Sequence, residues 1–396
     1  MRRFRILDIC HPSAFFIIQY CFYFGIGVSL YFMDLLPFDV ELKTIFYVLL
    51  YLLVFFLASY VLSDTMFGLT SSKLNRISVY NLSINKSYYL CVLTIVISCS
   101  VLSLVHVNNG FVPILGGDDI NALRVQSMVG KGRFVIPSFA LLYVSNCILI
   151  VIHHLLNSTL KKTVALFLLS ISFLMIMSFG FRSPAFYLLL TIFILKLSLS
   201  DYYQRKIGIS NRLVILFTIF VSALVVSGLV RDGITLTSSS FTSLFYSFSV
   251  NLFNLNAIIE TYPKYEEFLY GYSFVNDLMA VIPGLDGMFL GNYLKDTLLL
   301  DFDGSSISVT AIGEGYVNFG VFGIVIHALF LGAFSGLAYS IMNRQNTIWS
   351  RVYLVVFSIS FARVVTGGFS AILFFSILPN IILITVFYMI LRKKVS

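Results

Sequence analysis

The stretch TIFYVLLYLLVFFLASYVL, Thr44–Leu62, runs for nineteen residues without a charged side chain. As a helix it would cover about 28 Å at 1.5 Å per residue, close to the roughly 30 Å hydrocarbon core of a bilayer. Similar runs lie on both sides of it. They are Ala14–Phe32, Tyr89–Val105, Val135–Leu155, Thr163–Ser178, Pro184–Leu199, Leu213–Val230, Tyr316–Met342, Val352–Thr366 and Ala371–Leu391. The composition agrees. The 396 residues are 59% hydrophobic and only 11% charged, whereas a soluble chain is roughly 45–50% apolar and about 25% charged. The pattern predicts an all-α polytopic membrane protein of about ten transmembrane helices. With no repeat or linker dividing the chain, residues 1–396 read as a single integral membrane domain. The first run is too long for a signal-peptide core and no small-x-small cleavage site follows it, so it reads as a retained helix.

Charge sets the orientation. Arg2, Arg3 and Arg5 precede the first span, and Lys73, Arg76 and Lys86 lie between the second and third. Lys161 and Lys162 follow the fourth, and Arg205, Lys206 and Arg212 the sixth. Arg344 and Arg351 follow the eighth, and Arg392, Lys393 and Lys394 follow the last. Alternating spans put all of these on one face, which the positive-inside bias makes cytoplasmic, together with both termini. Of the 18 acidic residues only Asp8, Asp64 and Asp201 share that face. The net charge of +8 is therefore a topological footprint and does not point to nucleic acid.

Two extracytoplasmic segments exceed ordinary loop length, 108–134 and, between spans seven and eight, 231–313. Long ordered loops are where function concentrates. The five cysteines contain no CxxC pair and the five histidines are dispersed, so neither a disulfide framework nor a metal site is expected. No Gly-rich phosphate loop, GxSxG elbow or HExxH is present, and no cofactor is implied.

Basic residues outside the cytoplasmic loops and the cytoplasmic ends of the spans are few: Lys43, Arg124, Lys131, Arg133, Arg182, Arg231, Lys264, Lys295 and Arg363. Arg182 stands in Gly180-Phe181-Arg182-Ser183-Pro184, where Pro184 suits the first turn of a helix. A helix N-terminus beside a guanidinium fork suits phosphate, and snorkelling to lipid headgroups is the plainer reading. Arg231 has Asp232 as an adjacent counter-charge. Arg363 lies inside an apolar span, where an arginine costs roughly 2.5–3.5 kcal/mol or more and marks a functional site by default. An ion pair, with Glu314 for instance, is the structural alternative. Glu314 lies in Gly313-Glu314-Gly315-Tyr316-Val317-Asn318-Phe319-Gly320 and shares a helix face with Asn318 four residues on. A half-buried carboxylate there is a candidate proton acceptor. Asp118 and Asp119, after Gly116-Gly117, form an adjacent carboxylate pair. Tyr262, Tyr265, Tyr270 and Tyr272, with Glu266 and Glu267, suit sugar rings or an interfacial aromatic belt.

In order along the chain these features resemble the Wzy-type polymerases of bacterial oligosaccharide repeat units. The resemblance spans most of the sequence. It comprises the Gly180/Arg182 break, Arg231 at the end of the next span, and the large loop with Gly271-Tyr272-Ser273-Phe274 and Ile282-Pro283. The Gly313–Gly320 segment and the late Arg363 complete it. The Arg-x10-Gly pattern of some such loops is absent. The resemblance implies a metal-independent inverting glycosyltransferase of the bacterial inner membrane. Its donor would be a glycan on undecaprenyl pyrophosphate and its acceptor a lipid-linked repeat unit, joined at the periplasmic face. Arg182, Arg231 and Arg363, with Arg124, would steady the departing pyrophosphate, and Glu314 would be the base, with Asp118 or Asp119 behind it. Asn318, Tyr316 and Tyr272 would contact substrate. Membrane lipids, a chain-length regulator and a flippase are the implied partners. An O-antigen ligase shares the donor and topology. A lipid-linked oligosaccharide flippase is the rival of a different class.

Overall fold

The computed structural model describes residues 10–36, 38–61, 83–116, 120–153, 155–200, 238–282, 284–300, 306–344 and 347–392, without the side chains of 121, 200, 238–248, 343 and 344. All the principal elements are helices: α1 (Pro12–Phe32), α2 (Leu42–Val61), α3 (Ile84–Asn109), α4 (Ile120–Met128), α5 (Gly132–His153), α6 (Thr159–Ser178), α7 (Arg182–Ser200), α8 (Ser238–Thr261), α9 (Tyr272–Val281) and α10 (Leu290–Thr297). The helical run Ala311–Arg344 is broken at Phe319 and Gly320, giving α11 (311–318) and α12 (321–344). Helices α13 (Ile348–Gly367) and α14 (Phe369–Leu391) close the described chain. Among the described residues nine runs are long and apolar enough to cross a membrane, each overlapping an expected span. The tenth expected span, Leu213–Val230, lies outside the described residues, as do Arg231, Asp118 and Asp119.

The chain forms two compact units, one of residues 1–72, 236–344 and 357–378, the other of 73–235, 345–356 and 379–396. In the first, α1 runs antiparallel to α2: Phe16 stacks on Phe55 at 4.1 Å and the Tyr20 hydroxyl donates to Val48 O at 2.6 Å. Helix α12 runs parallel to α2, since Tyr51 meets His327, Phe55 and Ser59 flank Gly332, and Ser13 bridges Ser59 to Ser335. Lipid tails are as apolar as leucine, so membrane helices associate through close packing at small residues and hydroxyl contacts. Gly332 supplies the close approach. A Cβ there would lie 2.7 Å from Phe55 O and 2.9 Å from Ser59 N.

The break before α12 is a fold-back. Phe319 has φ −145° and ψ 21°, and Gly320 has φ 59° and ψ −141°. Gly315 and Gly323 are eight residues apart, about 12 Å along a straight helix, yet a Cβ on Gly315 would sit 2.8 Å from Gly323 O. The expected single span from Tyr316 is therefore a helical hairpin whose turn needs the positive φ of Gly320. Leading into it, residues 306–310 are not helical, and neighbouring groups satisfy their backbone. Thr310 N donates to Thr366 O at 3.1 Å and Thr310 O accepts from Glu314 N at 3.1 Å. Non-helical backbone beside membrane-spanning helices persists only where protein supplies such partners.

Helices α13 and α14 are joined by Gly368 alone (φ 77°, ψ 161°) and run antiparallel. Arg363 Nη1 donates to Ser376 Oγ at 3.0 Å, the Tyr353 hydroxyl donates to Thr385 Oγ1 at 2.8 Å, and the Trp349 and Tyr388 rings lie 5.6 Å apart. The segment between the expected spans seven and eight is ordered where described. It carries α8, α9 and α10, and Leu269 N and Tyr270 N donate to Val317 O and Asn318 O.

In the second unit α3 is antiparallel to α5, with Thr94 Oγ1 and Ser145 Oγ 2.7 Å apart, and parallel to α6. Lys161 Nζ reaches Asn85 Oδ1 (3.1 Å) at one end of the α3–α6 pair, and His106 Nε2 reaches Ser178 Oγ (2.7 Å) at the other. Lys131 of the α4–α5 connection contacts Asn109 at this second end.

Gly332→Ala should lower stability by about 1–3 kcal/mol through overpacking. Gly25→Ala, where the nearest atom would be 3.8 Å away, should be nearly neutral. Thermal unfolding of the two variants in detergent checks the contrast.

Candidate functional site

Two polar centres stand out, one in each unit. In the second unit, α6 ends at Ser178 and the chain turns through Gly180, whose φ is +75°. That conformation favours glycine, and the space does too: a Cβ would lie 3.2 Å from Ile120 Cγ2 and 3.9 Å from Arg124 Cβ. Helix α4 thus lies against this turn, with the Arg124 guanidinium 5.5 Å from the centre of the Phe181 ring. A cation over an aromatic face at this distance is held by the ring quadrupole. Phe139 meets Phe179 and Phe181 edge-on at 5.5 and 6.2 Å, fixing the turn from below. The next residue, Arg182, begins α7, whose first N–H groups lack intrahelical acceptors and carry the positive end of the helix dipole. Arg124 and Arg182, 58 positions apart in sequence, are brought to one turn and both side chains are half-buried. The arrangement suits a phosphate or pyrophosphate group.

In the first unit, Glu314 is fully buried (0% exposed). Its Oε2 accepts from Phe369 N–H, and its Oε1 accepts from Ser370 N–H at 3.0 Å. Ser370 Oγ lies within hydrogen-bonding distance of Glu314 Oε1 and also of Asp277 Oδ2. Glu314 is therefore the acceptor for the first free N–H groups of α14, as a capping carboxylate is at any helix N-terminus. Gly368 makes this possible, since a Cβ there would stand 3.1 Å from Glu314 Oε2. On the other side His327 Nε2 is 3.7 Å from Glu314 Oε2, and the Tyr51 hydroxyl is 3.2 Å from His327 Nδ1. Tyr51 lies nine residues, about 14 Å, into α2.

Asp277 of α9 is also fully buried (0% exposed), and its Oδ1 accepts from Leu290 N–H at 2.7 Å. Burial pushes its carboxyl up to about 6, helped by the nearby Glu314 and opposed by the bonds from Ser370 and Leu290. A carboxyl raised in this way binds its proton more tightly folded than unfolded. Its contribution to stability is complete below about pH 4 and is lost as pH rises through about 6.

The other residues nominated by the sequence fall as follows. Asn318 (1% exposed) is engaged internally: its Nδ2 donates to Glu314 O and Ser273 Oγ at 2.7 Å each, and its Oδ1 accepts from Gly271 N at 2.9 Å. Tyr316 is buried and donates to Tyr262 O at 3.1 Å, whereas Tyr272 is 57% exposed. Arg363 is half-buried and donates to Ser376. Arg231, Asp118 and Asp119 lie outside the described residues. Sequence reasoning did not nominate Asp277, Ser370, His327 or Tyr51. For Asp277 and His327 a signal existed, a lone ionisable residue inside an apolar segment. Among the described residues no group of three or more His, Cys, Asp or Glu side chains is arranged to hold a metal ion.

Among the described residues, nine apolar helices, an arginine-lined turn and a sealed carboxylate centre define a multi-pass, helical membrane protein with polar sites built between its helices. The family model described as "Putative O-antigen polymerase" matches residues 8–376, nearly the whole chain. The chain belongs to this family, that of the Wzy-type O-antigen polymerases. No curated protein and no solved structure matches it. Its role is in O-antigen polysaccharide biosynthesis, as a glycosyltransferase-like polymerase acting on lipid-linked oligosaccharides in the membrane.

Glu314→Ala would strip acceptors from Phe369 N–H and Ser370 N–H, and leaving such buried donors unpaired costs about 1–3 kcal/mol each. A fall in thermal stability of that order in detergent is expected. An unchanged melting point would remove Glu314 as the anchor of α14.

Proposed function

We propose that this protein joins undecaprenyl-pyrophosphate-linked repeat units into O-antigen or a related surface polysaccharide, at the outer face of the cytoplasmic membrane. The observation that carries this reading is the meeting of Arg124 with the Gly180–Arg182 turn at the start of α7. Two guanidinium groups beside a helix N-terminus match a departing pyrophosphate, whose growing negative charge preorganised donors stabilise. Arg363 and Arg231 are assigned the same role. In the reaction the acceptor hydroxyl oxygen attacks the donor's anomeric carbon and inverts it. The bond to undecaprenyl pyrophosphate breaks with its electrons on the leaving phosphate, and the hydroxyl proton passes to a base. Arginines replace a metal in this scheme, and no cofactor is required.

Glu314 is the base in this reading, with Asp118 or Asp119 behind it. In the conformation described Glu314 is sealed, so direct contact with a sugar hydroxyl requires the elements around it to part. Tyr272, exposed beside Gly271, is assigned to the sugars, and Asn318 and Tyr316 shape the same region from beneath. The chain-length regulator and the flippase of the pathway are the proposed partners.

Two observations support the orientation. Helices α2 and α12 run parallel. Alternating spans give that direction only if a crossing lies between α7 and α11, where Leu213–Val230 is expected. In the second unit Lys161 lies at one end of the α3–α6 pair and Lys131 and His106 at the other, so the arginine turn occupies the end opposite the expected cytoplasmic lysines.

The test is a gel of surface polysaccharide from a deletion strain complemented with wild type, Arg182→Ala or Arg124→Ala. The deletion should lose the long ladder while single repeat units still reach the surface. Each alanine variant, expressed normally, should lose long-chain material about 10- to 100-fold, as expected for removing one charge-assisted bond of roughly 1.5–3 kcal/mol. Loss of single units as well would favour the flippase or ligase, and an unchanged ladder in the deletion would overturn the reading.

A further inference from the structure

A serine hydroxyl has one proton to donate and two lone pairs with which to accept. Ser370 Oγ meets a carboxylate oxygen on each side, Asp277 Oδ2 and Glu314 Oε1. If both carboxylates were ionised, one of these contacts would set lone pair against lone pair between buried oxygens. The site therefore holds one further proton, and the surrounding donors decide where it resides. Glu314 receives Phe369 N–H on Oε2 and Ser370 N–H on Oε1. His327 stands beyond Oε2 with Nε2 at 3.7 Å and has no other hydrogen-bond partner for that nitrogen. The other ring nitrogen, Nδ1, lies 3.2 Å from the Tyr51 hydroxyl, and either atom can be the donor there. Asp277 receives one N–H, from Leu290, and that is on Oδ1, leaving Oδ2 free to carry a proton toward Ser370.

We propose that Asp277 is a neutral acid that positions Glu314: Asp277 Oδ2–H donates to Ser370 Oγ, Ser370 Oγ–H donates to Glu314 Oε1, and Glu314 is thereby held as the anion although no solvent reaches it. Asp277 is a positioning residue in this scheme, acting through Ser370 on the carboxylate that binds the start of α14. The charged and titratable groups on the surrounding elements are few. His327 of α12 and, behind it, Tyr51 of α2 face Glu314. Arg363 of α13 donates to Ser376 of α14. Helix α10 meets Asp277 through the Leu290 N–H, with its Lys295 and Asp296 more than a turn further on.

The assignment makes the two carboxylates unequal, and amide substitution reads the inequality. Asn at 277 reproduces the neutral acid, with its oxygen accepting from Leu290 and its NH2 donating to Ser370. Gln at 314 puts an NH2 against a backbone N–H whichever way it turns. The assignment stands on hydrogen-bond geometry, while its bearing on polymerisation rests on the reading of Glu314 as base, and the experiment separates the two. Infrared spectra of the purified full chain in lipid nanodiscs, taken below pH 6, should contain the carbonyl stretch of a protonated carboxyl that Asp277→Asn removes. Thermal stability of wild type should fall as pH is raised through about 6, Asp277→Asn should flatten that dependence, and Glu314→Gln should be less stable at every pH. A missing band, a band that survives Asp277→Asn, or a Gln variant more stable than the Asn variant would overturn the assignment. The expected spectra together with an undiminished polysaccharide ladder in Glu314→Gln would leave it standing and remove Glu314 as the base.

Discussion

A carboxylate that solvent cannot reach must find its hydrogen bonds within the protein, and Glu314 finds them at the start of α14. Much of the first unit follows from that contact. For Phe369 and Ser370 to point their N–H groups at Glu314, the chain must reverse at Gly368 with no side chain in the way. For Glu314 to reach them, α11 must descend beside α12 and not continue into it, which requires the bend at Phe319 and Gly320 and the bare contact of Gly315 with Gly323. The non-helical approach to α11 is then held by Thr366 on one side and capped by Thr310 on the other. Asp277 adds α9 to the same knot. Charge burial of this kind is costly unless every partner is present, so these elements stand or fall together.

The second unit solves a different problem with the opposite charge. Its arginines are half-buried, lie at the end of a helix pair, and are set by aromatic faces and a glycine turn. Phe181 beside Arg124 and Phe179 against His106 (ring centres 4.1 Å apart) give the cationic turn an aromatic floor. Under the function proposed above, the sealed carboxylate of one unit and the half-buried guanidinium groups of the other would take different parts of the chemistry on a charged lipid carrier.

The membrane spans were legible in the sequence because some twenty uncharged apolar residues in a row fit a bilayer crossing and little else, and each described span overlaps its window. Arg363 and Glu314 were legible as charges where charges are expensive, and Arg124 and Arg182 as basic residues outside the cytoplasmic loops. Three things were not. The fold-back at Gly320 leaves the apolar pattern of 311–344 unbroken, so a hairpin and a straight span read alike. The Asp277–Ser370–Glu314 chain joins residues 93 and 56 positions apart, and no local spacing announces such a meeting. Asn318 was rightly placed on the face of Glu314 but sits inward, fastening the turn at Gly271, because its amide has four bonds to make and the interior supplies them.

The position of Glu314 along the chain has a bearing on how the protein is made. Its acceptor oxygens are filled by backbone that leaves the ribosome fifty-five and fifty-six residues later. During synthesis the carboxylate must therefore wait at the membrane, wet or protonated, until α13 and α14 have been threaded in behind it. The first unit cannot close around its own centre until Phe369 and Ser370 have been made. A nascent chain halted before Gly368 carries that acid without either of the backbone donors that fill it in the finished fold.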